Sequence, residues 1–336
     1  MAQATNYSPT QNIALYKQDE AVVGTQVDDN DLKRMQVTSF TIPEASAPLE
    51  MSSQKAGQFF QEASQGRHNL ESKMWTFDTT LRGSSGSLQW MGDSLFEDGG
   101  NPFILPENYA FPTSLYNKAT SSGAKTKDIR LVGAGAGSSA SNMEINGCIC
   151  TGATFGQDIG AEAGEMTLTL NWATGFMPVH SSTAMGGTST YDEYVPTNIR
   201  DNTIATTVLD SQELVIHSWS VSINRTIERV GFDTAVTNNP PFGYAMTGGW
   251  EITGNLNVIR NNDYHDLLGD FKDSAPKALT ITNATASLFT LSCPQVLINE
   301  PTVDSGGSML MANIPFTVVA PNTTGTGTVI SVSATG

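Results

Sequence analysis

Histidines, cysteines and clustered carboxylates are the side chains from which chemistry would be built, and this chain spaces them poorly for it. The four histidines are His68, His180, His217 and His265. His217 falls in an alternating strand pattern and His265 on the polar side of a short helical one. Asp263, His265 and Asp266 stand close together, and Asp93, Glu97 and Asp98 hold the matching place earlier. Crowded acids raise one another's pKa and can do acid–base work. The same residues also suit the polar start of a helix, and no nucleophile with an evident base accompanies them. The H-E-x-x-H, G-x-S-x-G and Walker signatures are missing. Cys148 and Cys150 face one side of a strand without the further His or Cys of a zinc site. Three cysteines are too few for a disulfide framework. The run Asp28, Asp29, Asn30, Asp31 lacks the Gly and terminal Glu of a calcium loop. Residues 131–139 (LVGAGAGSS) have the outline of a dinucleotide loop, but a strand follows where a helix is needed. The expectation is a chain without catalytic, cofactor or metal residues, and not an enzyme.

Composition narrows the partners. Of 336 residues, 15 % are charged and 39 % hydrophobic, and the formal net charge is −16. Gripping nucleic acid takes Lys and Arg against phosphates, so this balance argues against it. It leaves room for a surface past which DNA travels without sticking. No apolar run approaches the ~20 residues of a membrane helix. The first residues, MAQATNYSPTQ, have neither the basic nor the apolar region of a signal peptide. The N-x-[ST] matches at Asn224, Asn283 and Asn322 then carry no glycosylation meaning.

The elements that position these residues read mainly as strands. In residues 213–271, Val215, His217, Trp219, Val221 and Ile223 alternate with Ile216, Ser218, Ser220 and Ser222, the period of a half-buried strand. Ile252, Gly254, Leu256 and Val258 then alternate with Thr253, Asn255 and Asn257. Asn262 or Asp263 is placed to cap a short helix carrying Tyr264, Leu267, Leu268 and Phe271. An earlier stretch follows the same plan. Trp75, Phe77, Thr79 and Leu81 share a strand face, LQWMGDSLF suggests a short helix, and Met166, Leu168, Leu170 and Trp172 alternate with Thr167, Thr169 and Asn171. Residues 75–98 and 250–273 thus form a weak internal repeat. A short helix is expected at 50–63, and Pro294 implies an edge or a bulge in its strand. The division expected is an extended polar N-terminal arm (1–66), a first β domain (67–182), a linker (183–204), a second β domain (205–320) and a C-terminal tail (321–336).

The order of these features resembles a known family. FDTTLRG with its LFEDGG exit, then NGCICTGATF and EMTLTLNWATGF, is similar to the first half of long-tailed (siphovirus-type) phage tail tube proteins. ELVIHSWSVSINRTIERVGF, GYAMTGGWEITGNLNVIRNNDYHDLL and SCPQVLINEPTV resemble the second half, so the likeness covers roughly residues 75–320. It implies two tandem tube-like antiparallel β-sandwich or barrel domains, each with a short helix. It also implies a structural virion protein, made in the host cytoplasm, whose stacked rings form the hollow conduit for DNA ejection. The implied partners are further copies of the chain, the tape measure protein, and tail terminator and baseplate proteins, with DNA only in transit and no membrane. Because tube proteins with one domain form rings of six, two copies favour three chains with pseudo-sixfold symmetry, six chains being the alternative. Thr167, Thr169, Asn171, Thr253, Asn255 and Asn257 are candidates to line the bore. Asp158, Glu162 and Glu165 are candidates for an acidic loop in the lumen or between rings. The rival readings are a head-decoration or neck protein and a secreted β-sandwich binding module.

Overall fold

The computed structural model describes residues 13–27, 31–35, 37–43, 49–51, 66–68, 73–96, 102–106, 126–133, 142–161, 164–181, 204–232, 240–265, 275–283, 289–305, 309–321 and 327–334. The first strands are β1 (Ile13–Asp19), β2 (Lys33–Met35), β3 (Val37–Phe40), β4 (Leu49–Met51), β5 (Gly66–His68), β6 (Trp75–Arg82), β7 (Phe103–Pro106), β8 (Lys127–Gly133), β9 (Asn142–Asp158), β10 (Thr167–Thr174) and β11 (Val179–Ser181). There follow β12 (Ile204–Leu209), β13 (Gln212–Leu214), β14 (Ile216–Val230), β15 (Gly243–Ile259), β16 (Lys277–Asn283), β17 (Phe289–Ile298), β18 (Thr302–Asp304), β19 (Met311–Val318) and β20 (Thr328–Ala334). The helix α1 (Ser85–Met91) runs into a π-helical turn, Gly92–Phe96. The fold is mainly β: among the described residues eighteen strands make one antiparallel sheet, and β4 pairs separately with β5. Among the described residues no helix is long and apolar enough to cross a membrane.

The pairings follow one order twice. In the first copy it is β2–β1–β8–β9–β10–β6–β3, with β11 on the other side of the first half of β9. In the second it is β13–β12–β16–β17–β19–β15–β14, with β20 on the other side of the first half of β17. β18 continues β17 alongside β19 and so fills the place of the second half of β9. The likeness extends to details. β3 slips register against β6 between Val37 and Ser39, and β14 slips against β15 between Ile216 and Ser218. Lys127 Nζ lies 2.5 Å from Asp19 Oδ1, and its counterpart Lys277 Nζ lies 2.8 Å from Asp210 Oδ2. β6 and β15 both lead into a side-chain-capped helical turn. Ser84 Oγ accepts from Ser87 N and Ser87 Oγ accepts from Ser84 N, a reciprocal cap, while Asn261 Oδ1 accepts from Tyr264 N.

Alternation explains which side chains are buried. Trp75, Phe77 and Leu81 of β6, Leu168, Leu170 and Trp172 of β10, and Ile252, Leu256 and Val258 of β15 belong to the interior. Thr79 joins them because Trp172 Nε1 donates to its hydroxyl at 3.0 Å. Gly254 also points inward, where a Cβ would lie 2.2 Å from the Phe316 ring, so that ring fills the gap. One apolar core runs through both copies, from Leu15 to Ala334. At about 25 cal/mol per Å² of apolar surface removed from water, burial on this scale is the main favourable term.

Several sequence expectations need correction. The slip at Ile216/Ser218 reverses the alternation of β14 at its start: Ile216 is buried, Val215 is exposed and His217 half-buried, while Trp219, Val221 and Ile223 are inside. The helix cap is Asn261, not Asn262 or Asp263, and Leu267, Leu268 and Phe271 lie outside the described residues. Leu49–Met51 is strand where a helix was expected, the rest of 50–63 lying outside the described residues. The N-terminal arm supplies β1, β2 and β3 to the sheet, and the C-terminal tail supplies β20, held between β17 and β7. One expectation holds: of the edge or bulge implied by Pro294, β17 has the bulge, where it shifts register against β16. Asp28, Asp29 and Asn30, and residues 134–141, lie outside the described residues.

The segment after β1 is fastened by one buried carboxylate. Glu20 is 2 % exposed. It accepts hydrogen bonds from Gly147 N (2.6 Å), Gly24 N (2.7 Å) and Thr126 Oγ1 (2.7 Å). Gly24 (φ 73°) and Gly147 (φ 62°) are both left-handed, and Phe176 occupies the space where either Cβ would stand. Burial pushes the Glu20 carboxyl up to about 7 against these three bonds, and the nearby Asp128 adds to the rise. A folded-state pKa above the unfolded one gives stability that is present below about pH 4.5 and lost as pH rises through about 7. The loss attributable to Glu20 is about 3 kcal/mol. Thermal unfolding followed from pH 5 to pH 8 is expected to show the Tm falling, and Glu20→Gln is expected to flatten that part of the profile.

Candidate functional site

The second half of β9 and the first half of β14 lie side by side, and this joins the two copies into a single broad sheet, β3–β6–β10–β9–β14–β15–β19. One face of it packs on the core. On the other the register sets Thr80, Thr169, Thr154, Ser222, Thr253 and Thr317 opposite one another in sequence across the strands. At ~4.8 Å between strands, this row of hydroxyls spans about 24 Å. Thr80 and Thr169 share a hydrogen bond at 3.0 Å, and Thr154 and Ser222 one at 2.9 Å. The row on one side of it has Arg82, Thr167, Gly156, Ser220, Asn255 and Pro315, and the row on the other side has Asp78, Asn171, Gly152, Asn224 and Glu251. Charge is thus confined to the margins of these rows, where Arg82 Nε pairs with Glu165 Oε2 at 3.2 Å.

All six candidate residues stand on this face. Thr167, Thr169 and Asn171 come from β10, and Thr253, Asn255 and Asn257 from β15, each half-buried. Two intervening strands separate the triads. Those strands contribute Thr154 and the series Ser218, Ser220, Ser222 and Asn224, and β6 and β19 add Thr80 and Thr317. Sequence reasoning had the signal for the serines in their alternation with Trp219, Val221 and Ile223, but not the pairing that brings them between the triads. Of the acidic candidates, Asp158 is exposed at the end of β9, with His217 Nδ1 at 3.8 Å, and Glu165 is held by Arg82. Glu162 lies outside the described residues.

Glycine lets the two copies meet. A Cβ on Gly156 would stand 2.2 Å from the carbonyl oxygen of Trp219 and 2.9 Å from Ser220 Cα; one on Gly152 would stand 2.8 Å from the Ile223 carbonyl oxygen. These contacts are with backbone, which has little room to give. The missing side chains leave a shallow cavity of about 290 Å³, bordered by Thr154, Thr167, Thr169, Ser220 and Asn255.

Hydroxyls and amides on a sheet face bind water and carry no fixed charge, and a Ser or Thr hydroxyl is a weak nucleophile unless a base activates it. No group of three or more His, Cys, Asp or Glu side chains able to hold a metal ion occurs among the described residues. The three thiols are buried: Cys148 is pushed well above its ordinary value, Cys150 up to about 11 and Cys293 up to about 12, each chiefly by burial, which disfavours the reactive thiolate. No family model matches the chain, and no curated protein matches it.

Gly156→Val is expected to destabilise the fold by about 1–3 kcal/mol or more, because the added atoms must displace the β14 backbone. Gly249→Ala, at a position with no atom within 4 Å of the new Cβ, is the neutral control. Denaturant unfolding of the two variants beside the parent measures the difference.

Proposed function

We propose that this chain is a structural virion protein that polymerises as stacked rings into the hollow tail tube of a long-tailed phage, with the hydroxyl face lining the bore. One observation carries the reading. A protein of net charge −16 presents, across six strands, rows of Thr, Ser, Asn and Gly with charge only at their margins. A polyanion is held by cationic side chains that displace its counterions. A wall without them supplies hydration and no grip, which suits a conduit.

The repeated pairing order supports the finer reading of two tandem tube domains, and with it three chains presenting six domains around the bore. On this reading the partners are further copies of the chain, the tape measure protein inside the tube, and terminator and baseplate proteins at its ends. The motifs quoted from residues 75–320 support the same family.

Negative-stain images of the concentrated protein are expected to show hollow tubes with threefold or pseudo-sixfold rings; a stable monomer at every concentration overturns the reading. Tubes assembled from a Thr154→Lys, Ser222→Lys variant are expected to retain duplex DNA fragments at 50 mM salt and release them at 200 mM, while parent tubes retain none. Co-sedimentation of labelled DNA is the measurement.

A further inference from the structure

Among the described residues the duplication leaves two unlike sheet edges open, and it also displays what fits between them. β9 has β10 on one side of its second half and β14 on the other. Its counterpart, the run from the end of β17 through β18, has β19 on one side, and among the described residues no strand lies beyond. β14 has β15 on one side and β9 on the other. Its counterpart β3 pairs, among the described residues, with β6 alone. The edge open on β3 is therefore the one that β14 gives to β9, and the edge open along β18 is the one that β9 gives to β14. β18 is exposed along its length, with Val303 51 % accessible. The open edges stand at opposite ends of a sheet eight strands wide, about 34 Å apart at ~4.8 Å per step, so one chain does not join them.

We propose that β3 of a second copy of this chain pairs antiparallel with β18, repeating between chains the β9–β14 junction found within one. The two copies fix the register. Thr80 and Asn257 stand equally far before the caps Ser84 and Asn261. Thr169 and Asn313 lie opposite them, and Thr154 and Thr302 lie opposite those. Ser39 and Ser218 each follow the equivalent register slip. Ser222 pairs with Thr154 and Ser220 with Gly156. Carried over, these set Pro43 of one copy opposite Thr302 of the next, and Thr41 opposite Asp304. A proline is admissible there because β3 is an edge strand.

The junction between chains differs from the internal one in its side chains, beyond the proline at position 43. Glu300 and Asp304 replace Gly152 and Gly156, so the backbones approach less closely and the edge carries carboxylates. Like charges facing one another disfavour β18 pairing with β18 of another copy, which leaves the unlike edge as the partner. Contact between unlike edges closes into a ring when the rotation per chain allows it. The proposal deepens the tube reading and rests on it for the closed ring, though not for the strand pairing.

The test is a Thr41→Cys, Asp304→Cys double variant, oxidised after assembly and run on a non-reducing gel. Opposed antiparallel residues lie ~4.5–5.5 Å apart at Cα, within disulfide reach. The native Cys148, Cys150 and Cys293 are buried and stay silent. The expected result is a covalent ladder that stops at the number of chains per ring, with each single variant remaining monomeric. In the unmodified protein, the outward amides of residues 302–304 are expected to gain at least tenfold protection from hydrogen exchange on assembly. Tubes that form without cross-link and without that protection overturn the edge pairing and leave the tube reading in place. Cross-linked open chains without tubes keep the edge pairing and overturn the ring. A parent protein that never leaves the monomer overturns both.

Discussion

The close antiparallel pairing of β9 with β14 is the contact on which the rest depends. Without it the two copies would be joined by the β7–β20 pairing and the shared core, and the hydroxyl face would be divided into parts three or four strands wide. With it, Thr169 and Thr253, far apart in the chain, fall on one register line, and the apolar sides of both units meet in one core. The geometry is demanding because the Gly156 position comes up against the Trp219 carbonyl, so backbone itself forms the fit. Loss of main-chain fit costs more than loss of one apolar contact, because slipping the register by one residue would exchange the hydroxyl and core faces along the whole strand.

Around that junction the fold uses polar groups in two ways. Inside, they are few and fastened: Glu20 by three donors, Lys127 by Asp19 and Asp93, and Arg130 by Asp128 and the carbonyl of Val27. Each secures the N-terminal segment to the first copy, where a lost partner would leave a buried charge uncompensated. On the broad face they are many and interchangeable, small neutral groups that bond to one another and to water.

How much of this was legible in the sequence follows from the range of the interactions. The period-two pattern on β10 and β15 is local, so Thr167, Thr169, Asn171, Thr253, Asn255 and Asn257 were readable as one side of two strands. The short helix after β6 was readable from LQWMGDSLF, since an apolar run after a serine cap is also local. The slip at Ile216 was not, because a bulge arises from the partner strand and misplaced Val215 and His217. Nor was the membership of β1, β3 and β20 in the sheet: Ile13–Asp19 pairs with β8, and Thr328–Ala334 with β17 and β7, all more than thirty residues away, and their own composition reads as polar arm and tail. The duplication showed weakly in sequence because its copies agree in pairing, bulge and lysine–aspartate contact, while most of the side chains differ.

The row running from Thr80 to Thr317 has a consequence for motion. Each hydroxyl both donates and accepts, so water lying on the sheet can exchange partners at almost no net energy from one strand to the next. A charged polymer drawn over such a surface meets neither deep wells nor steep barriers. Its drag is then set by the viscosity of a thin water film, and its speed by the force applied rather than by the lifetime of any contact with the wall.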